Sequence, residues 1–169
     1  NIMKKNINIA VVGLGNIGIY LLNEINSKKK NIELLTGKKI NISAVSAKNI
    51  KKKRKFKFNK SIFYKNPLNI FKKKKIDILF ECIGSSDGIS KKIVEKAIKN
   101  KCHVITPNKA LIAKHGNNLS KLAEKYKVNL EFEASVCGGI PILRTIKEGL
   151  STNKLNKVYG ILNGTSNYI

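Results

Sequence analysis

One stretch near the N-terminus restricts the possible folds more than any other: Ile7-Asn8-Ile9-Ala10-Val11-Val12-Gly13-Leu14-Gly15-Asn16-Ile17-Gly18. An apolar run of strand length enters a G-x-G-x-x-G turn, and an amphipathic helical pattern over residues 17–25 leaves it. In that order the glycines have separate physical duties. Gly13 permits a tight turn, Gly15 lets a pyrophosphate approach the backbone, and Gly18 lets the new helix pack closely on its strand. The helix N-terminus adds free N–H groups and about half a positive charge, both suited to phosphate. Glycine clusters also mark plain turns. The buried strand before this cluster and the helix after it favour a dinucleotide cradle formed by Gly13, Leu14, Gly15, Asn16, Ile17 and Gly18.

Strand and helix patterns then alternate along the chain. An exposed connection is expected over 26–30 and a strand with period-two alternation over 39–46. A charged, solvated loop follows over 50–60, then a short strand over 61–64 and a short helix over 67–74 with Pro67 in its first turn. Residues 76–83 form the clearest buried strand, emptying into Gly84-Ser85-Ser86-Asp87-Gly88. A helix over 89–100 follows, with Asp87 or Ser86 expected as its cap. Next come a strand over 102–106, a helix opening after Pro107-Asn108-Lys109, a break at Gly116, a helix over 118–126 and a strand over 128–133. A helix reaching residue 150 and a strand over 157–162 complete the pattern. The alternation predicts an α/β, doubly wound, mostly parallel Rossmann-type sheet with helices on both faces. The domain division expected is 1–135 for nucleotide binding and 136–169 for the start of an incomplete second domain.

In such a sheet the ligand lies at the carboxyl ends of the strands, so Cys82, Ile83 and Gly84 are expected to flank it. A site that prefers NAD places an acid at the end of the second strand, for the ribose hydroxyl; a cation there suits the 2′-phosphate of NADP. Here the residues are Ser46-Ala47-Lys48-Asn49, with no acid. Lys48 is therefore a 2′-phosphate ligand candidate and NADP the expected cofactor, with NAD possible. Lys109 falls at the end of the fifth strand, where its ammonium would stabilise charge developing on a substrate carbonyl. Partial burial there would ease proton delivery. Glu133 precedes a glycine-containing turn through Val136, Gly138 and Ile140. It either caps that turn or joins backbone carbonyls around a hard cation. His103 lies between apolar neighbours and His115 precedes a glycine; with no carboxylate nearby in sequence, both are expected to be structural.

The formal net charge of +24 suggests nucleic acid as a partner. The residue types argue against a specific one. All the basic residues except Arg54 and Arg144 are lysines, whereas arginine is the residue that base and phosphate forks favour. Cys82, Cys102 and Cys137 form no C-x-x-C pair and no disulfide framework, which suits reduced thiols in a cytoplasmic protein. No apolar run reaches the roughly 18 residues of a membrane span, and no secretory h-region opens the chain. A soluble protein without a membrane partner is expected.

Together these stretches resemble the N-terminal part of homoserine dehydrogenase. The matching segments are 12–18, 44–48, Val104-Ile105-Thr106-Pro107-Asn108-Lys109-Ala110-Leu111, Phe132-Glu133-Ala134-Ser135-Val136-Cys137-Gly138-Gly139-Ile140-Pro141-Ile142 and Gly160-Ile161-Leu162-Asn163-Gly164-Thr165-Ser166-Asn167-Tyr168-Ile169. The resemblance implies NAD(P)H-dependent reduction of L-aspartate 4-semialdehyde to L-homoserine, on the route to threonine and methionine. It places Lys109 beside nicotinamide and substrate, and Asn163, Gly164 and Thr165 along the substrate site. It favours a monovalent cation such as Na+ on Glu133, Val136, Gly138 and Ile140 over the capping role for Glu133. Cys137 replaces the family's usual alanine or glycine. The family's substrate and dimerisation domain, which makes a homodimer or homotetramer, would follow Ile169, so the chain alone is expected to bind cofactor weakly and turn over little. Two other readings stay open: a non-catalytic nucleotide-sensing or nucleic-acid-adhering module, and another two-domain dehydrogenase acting on an amino-acid aldehyde.

Overall fold

A computed structural model describes residues 6–52 and 54–132. Six strands form one parallel sheet: β1 (Asn6–Val12), β2 (Lys39–Ser46), β3 (Phe63–Tyr64), β4 (Ile78–Glu81), β5 (His103–Ile105) and β6 (Leu130–Glu131), in the order β3-β2-β1-β4-β5-β6. The helices are α1 (Asn16–Thr36), α2 (Ile70–Lys73), α3 (Ile89–Lys99) and α4 (Lys109–Tyr126). The doubly wound arrangement expected from the alternation is the one observed. The boundary expected at 135–136 lies outside the described residues, as do Cys137 and everything C-terminal to it.

Parallel strands covered on both faces need apolar residues at every position, and this accounts for the unbroken apolar runs. Successive side chains go to opposite faces. Ile7, Ile9 and Val11 of β1 meet Leu21, Leu22 and Ile25 of α1, together with Ile78 and Phe80 of β4. Ala10 and Val12, on the opposite face, join Leu79, Val104 and the inner sides of α3 and α4: Ile93, Ala97, Leu111 and Leu119. The small residues Ala10 and Ala44 stand on this second face.

Three local expectations are corrected. First, α1 does not stop near residue 25. It runs to Thr36, where Gly37, with φ of 68°, closes it by donating its N–H to the Glu33 carbonyl at 2.9 Å. The stretch 26–30 is polar but full of lysine, a good helix former. It is laced by Glu24–Lys28 at 2.6 Å and Lys29–Glu33 at 3.9 Å, and Ile32 resumes the buried face. Second, Gly116 breaks nothing; it is buried inside a continuous α4, and a Cβ there would stand 3.1 Å from Ile112 Cγ2. Third, neither Asp87 nor Ser86 caps α3. Gly88, with φ of 64°, takes the cap position without a side-chain hydrogen bond.

The charged loop is also more anchored than its composition suggests. Phe56 and Phe58 turn inward onto the α1-side core while Lys55 and Lys57 point out, and Phe58 stacks on Phe63 with centroids 6.0 Å apart. No helix among the described residues is long and apolar enough to cross a membrane. Phe80, 1% exposed at the sheet centre, carries the largest enclosed side chain among the described residues. Phe80→Ala is expected to lower unfolding free energy by about 3–5 kcal/mol, read from the urea midpoint at unchanged slope.

Candidate functional site

The sheet order reverses between β1 and β4, so the connections leaving these two strands diverge and open a crevice at their carboxyl ends. The glycine turn fills the base of that crevice. Gly13, with φ of +96°, donates its N–H to the Ser46 carbonyl at 2.9 Å, and its α-carbon lies against the backbone of Cys82 and Ile83. A Cβ on Gly13 would collide with that backbone. A Cβ on Gly18 would collide with the Gly13 carbonyl, so α1 sits on the turn as closely as a backbone permits. Gly15 differs. It takes the N-cap position of α1 in an extended conformation, and a Cβ there would find no heavy atom within 4 Å.

The space beside Gly15 therefore faces the N-terminus of α1. That terminus has no side-chain cap and no acid in its first turn. Its N–H groups and partial positive charge suit an anion such as a diphosphate. Asn16 and Ile17 are exposed on this rim, whereas Leu14 turns inward and is buried with the α1-side core.

Lys48 is exposed two residues beyond β2, in keeping with its place after Ser46. A second cation, which the motif spacing does not single out, stands against the glycine turn. The Arg54 guanidinium donates to the carbonyls of Leu14 (3.4 Å), Asn49 (2.6 Å) and Lys52 (2.9 Å), stapling the 49–54 loop to the turn. Its signal in the sequence is slight: one arginine in a run of lysines, where the forked donor is the feature that matters.

On the other side of the crevice, Cys82 and Ile83 are half-buried and Gly84 is exposed with φ of +90°. Cys82 and Cys102 form no disulfide among the described residues; burial pushes the Cys102 thiol up from its ordinary pKa. Lys109 is the first residue of α4 and is exposed. The partial burial expected around its amine is not supplied by the described residues. Asn108 caps this helix by accepting the Leu111 N–H at 3.0 Å. Glu81, which the sequence pattern presents only as part of an apolar strand, is a fully enclosed carboxylate at the end of β4 and accepts the Thr106 hydroxyl at 2.6 Å.

The histidines divide. His103 is buried and its Nδ1 accepts the Asn129 N–H at 3.0 Å, which gives it the structural role expected. His115, expected to lack a carboxylate partner, has one. Its Nε2 lies 2.7 Å from Asp87 Oδ1, and Lys114 Nζ lies 2.7 Å from Asp87 Oδ2. Twenty-eight residues of chain separate His115 from Asp87, and only the packing of α4 beside the 84–88 loop brings them together. Hydrogen bonds from Lys114, then His115 and Ser86, hold the Asp87 carboxyl well below the usual carboxylate range. The expected cation ligands Glu133, Val136, Gly138 and Ile140 and the substrate residues Asn163, Gly164 and Thr165 lie outside the described residues.

Comparison with known proteins points one way. Residues 13–133 match the sequence family described as the NAD binding domain of homoserine dehydrogenase, and residues 141–169 match the family described as homoserine dehydrogenase. The homoserine dehydrogenase of Neisseria gonorrhoeae is 39% identical over 165 residues, covering 98% of this chain and 38% of its own length. The Bacillus subtilis enzyme is 34% identical with the same coverage. A crystal structure of S. aureus homoserine dehydrogenase superposes with a TM-score of 0.71 at 34% identity, over 78% of this chain and 34% of that one. The chain thus spans little more than a third of the length of these relatives.

Two outcomes follow from the geometry. Gly15→Ala should leave stability unchanged or raise it by about 0.4–1 kcal/mol, since its backbone is open to any residue. Gly18→Ala should cost about 2–3 kcal/mol, because the Gly13 carbonyl that it would meet belongs to the sheet edge and cannot yield. Chemical denaturation of the pair reads the contrast. For Asp87, the depressed folded pKa means a contribution present above its ordinary value of 3.8 and lost as pH falls below it. Asp87→Asn is therefore expected to flatten the decline of Tm on that acid limb while leaving Tm near neutral pH lower than in the parent.

Proposed function

The chain belongs to the homoserine dehydrogenase family, and from that premise we propose that its protein reduces L-aspartate 4-semialdehyde to L-homoserine with NAD(P)H, this segment forming the nucleotide half. The observation that carries the proposal is the contrast among the glycines. Gly13 and Gly18 are packed shut while Gly15 faces open space at an uncapped helix N-terminus, a shape that leaves room for a diphosphate.

Each residue then has a role. Gly13 to Gly18 receive the diphosphate. Beyond β2 the chain offers Lys48 and Arg54 and no acid, so the 2′-phosphate of NADP has cationic neighbours and the ribose hydroxyl of NAD has no carboxylate; this supports NADP. Cys82, Ile83 and Gly84 border the nicotinamide end. When bound, the reduced nicotinamide supplies the hydride. Lys109 orients the aldehyde oxygen, stabilises the negative charge that grows on it, and leaves a hydroxyl by giving that oxygen a proton.

Beyond these residues, Asn163, Gly164 and Thr165 are assigned to the substrate side. Glu133 with the carbonyls of Val136, Gly138 and Ile140 is assigned to a monovalent cation such as Na+, an all-oxygen donor set suited to a hard ion. The domain division at 135–136, a homodimer or homotetramer and a cytoplasmic location belong to the same proposal. Nucleic acid has no part in it, since the lysine-rich surface lacks the arginine forks that specific contacts favour.

NADPH fluorescence and aldehyde-dependent NADPH oxidation by the full-length protein test it. Lys109→Ala is expected to lower kcat by about 10²–10³ with little change in NADPH Kd. Gly15→Ala, stable as above, is expected to weaken NADPH by tenfold or so, because a methyl stands where the diphosphate approaches. A wild-type protein that ignores NADPH yet binds DNA with a steep salt dependence would overturn the assignment in favour of a nucleic-acid-adhering module.

A further inference from the structure

Glu81 is 0% exposed, and among the described residues it is the one fully buried carboxylate. A carboxylate removed from water is costly unless hydrogen-bonded, and an apolar residue at the end of β4 would serve the sheet as well or better. Three donors face it. Oε1 accepts the Ile83 N–H at 2.9 Å; Oε2 accepts the Thr106 hydroxyl at 2.6 Å and the Asn108 side-chain amide at 3.3 Å. These partners are bonded in turn. The Asn108 N–H donates to Thr106 Oγ1 at 3.1 Å, its Nδ2 donates to the Ser85 carbonyl at 2.8 Å, and its Oδ1 takes the Leu111 N–H as the cap of α4. One network thus ties the end of β4, the 83–88 loop and the first turn of α4. Lys109 follows Asn108 directly.

We propose that Glu81 is a positioning residue for the reaction: through Thr106 and Asn108 it fixes the first turn of α4, and so the start of the Lys109 side chain, against the nicotinamide end of the crevice. It touches neither cofactor nor substrate. The inference rests on the functional reading above. Misplacing a catalytic group by about 1 Å costs on the order of a hundredfold in rate, so an exposed lysine on a helix end needs such an anchor. Under that reading the adenosine half would lie toward Lys48 and Arg54 after β2, on the other side of β1 from this network. Loss of Glu81 should therefore be felt at one end of the cofactor only.

Glu81→Gln places an amide NH2 against donors on one side or the other, whichever way it turns. In the full-length protein, Glu81→Gln is expected to lower kcat by roughly 10- to 100-fold while the Kd of 2′,5′-ADP, which reports the adenosine half alone, stays within about twofold. Thr106→Val should lower kcat in the same direction, and Thr106→Ser, which keeps the hydroxyl, should restore it. The Glu81→Gln/Thr106→Val double variant should lose less than the product of the single losses. Should Glu81→Gln not fold, the Thr106 pair carries the same comparison. Unchanged kcat in folded Glu81→Gln, or in Thr106→Val, overturns the proposal. So does a parallel fall of 2′,5′-ADP affinity and kcat, the mark of a residue that merely holds the fold. Wild-type protein with no NADPH binding removes the functional reading and this inference together, whereas wild-type turnover beside an indifferent Glu81→Gln removes this inference alone.

Discussion

The approach of three backbone segments at the boundary of β1 and β4 governs the arrangement of the rest. Gly13 rests on Cys82 and Ile83, and Gly18 rests on Gly13. These are contacts between main chains at the carboxyl ends of the two central strands, where neighbours cannot relax as a surface side chain would. Their closeness brings the first turn of α1 down to the strand ends, which leaves Gly15 and the uncapped N–H groups lining the crevice. Were α1 held off by one methyl group, the partial positive charge of its end would lie farther from any phosphate in the crevice. The same turn is tied sideways to β2 by the Gly13 N–H and to the following loop by Arg54. Position and chemistry of the nucleotide end thus have one source.

Acids are scarce in a chain of net charge +24, and several occupy joints in the fold. Glu33 accepts the Ile40 N–H at 2.8 Å and ties the end of α1 to β2; Asp77 accepts the Asn8 N–H at 2.8 Å and ties the entry of β4 to β1. Glu81 and Asp87 fasten α4 to the loop after β4. A backbone N–H or a short side chain is a fixed partner. A surface ion pair between long side chains contributes little, since ordering the two chains offsets much of the attraction. Among the described residues Glu33, Asp77 and Glu81 therefore serve connection through such fixed partners, whereas the lysine pairs of Glu24, Glu95 and Asp87 lie at the surface.

What the residues reveal by themselves, and what they conceal, follows the same division. Strands buried on both faces are conspicuous, because apolar residues at both parities fit a covered parallel sheet and little else: β1 and β4 are legible for that reason. The glycine turn is legible because each glycine answers a separate steric demand. Residues 26–36 of α1 are not, since a lysine-rich helix turned to solvent has the composition of a loop and only Glu24, Glu33 and Ile32 betray it. Gly116 misleads because a helix interior tolerates glycine at a cost of about 1 kcal/mol where close packing supports it. Asp87 with His115, and Glu81 with Thr106 and Asn108, depend on partners more than twenty residues away. No local pattern reveals such pairs; they exist only once the β4–α3 and β5–α4 connections share an edge.

Lys109 departs from a local preference, and the proposed reaction gives that departure a use. A cation at the first position of a helix stands at the positive end of the dipole, where an acid would be the stabilising choice. Asn108 already caps that helix, so the lysine contributes nothing to its start. A local rule broken without a structural gain is in keeping with the role proposed for it. Under the proposed reaction the conflict disappears at the moment of hydride transfer. The oxygen that takes on negative charge then lies near both an ammonium and a helix N-terminus, and two fields that oppose each other in the free protein act together on the developing anion.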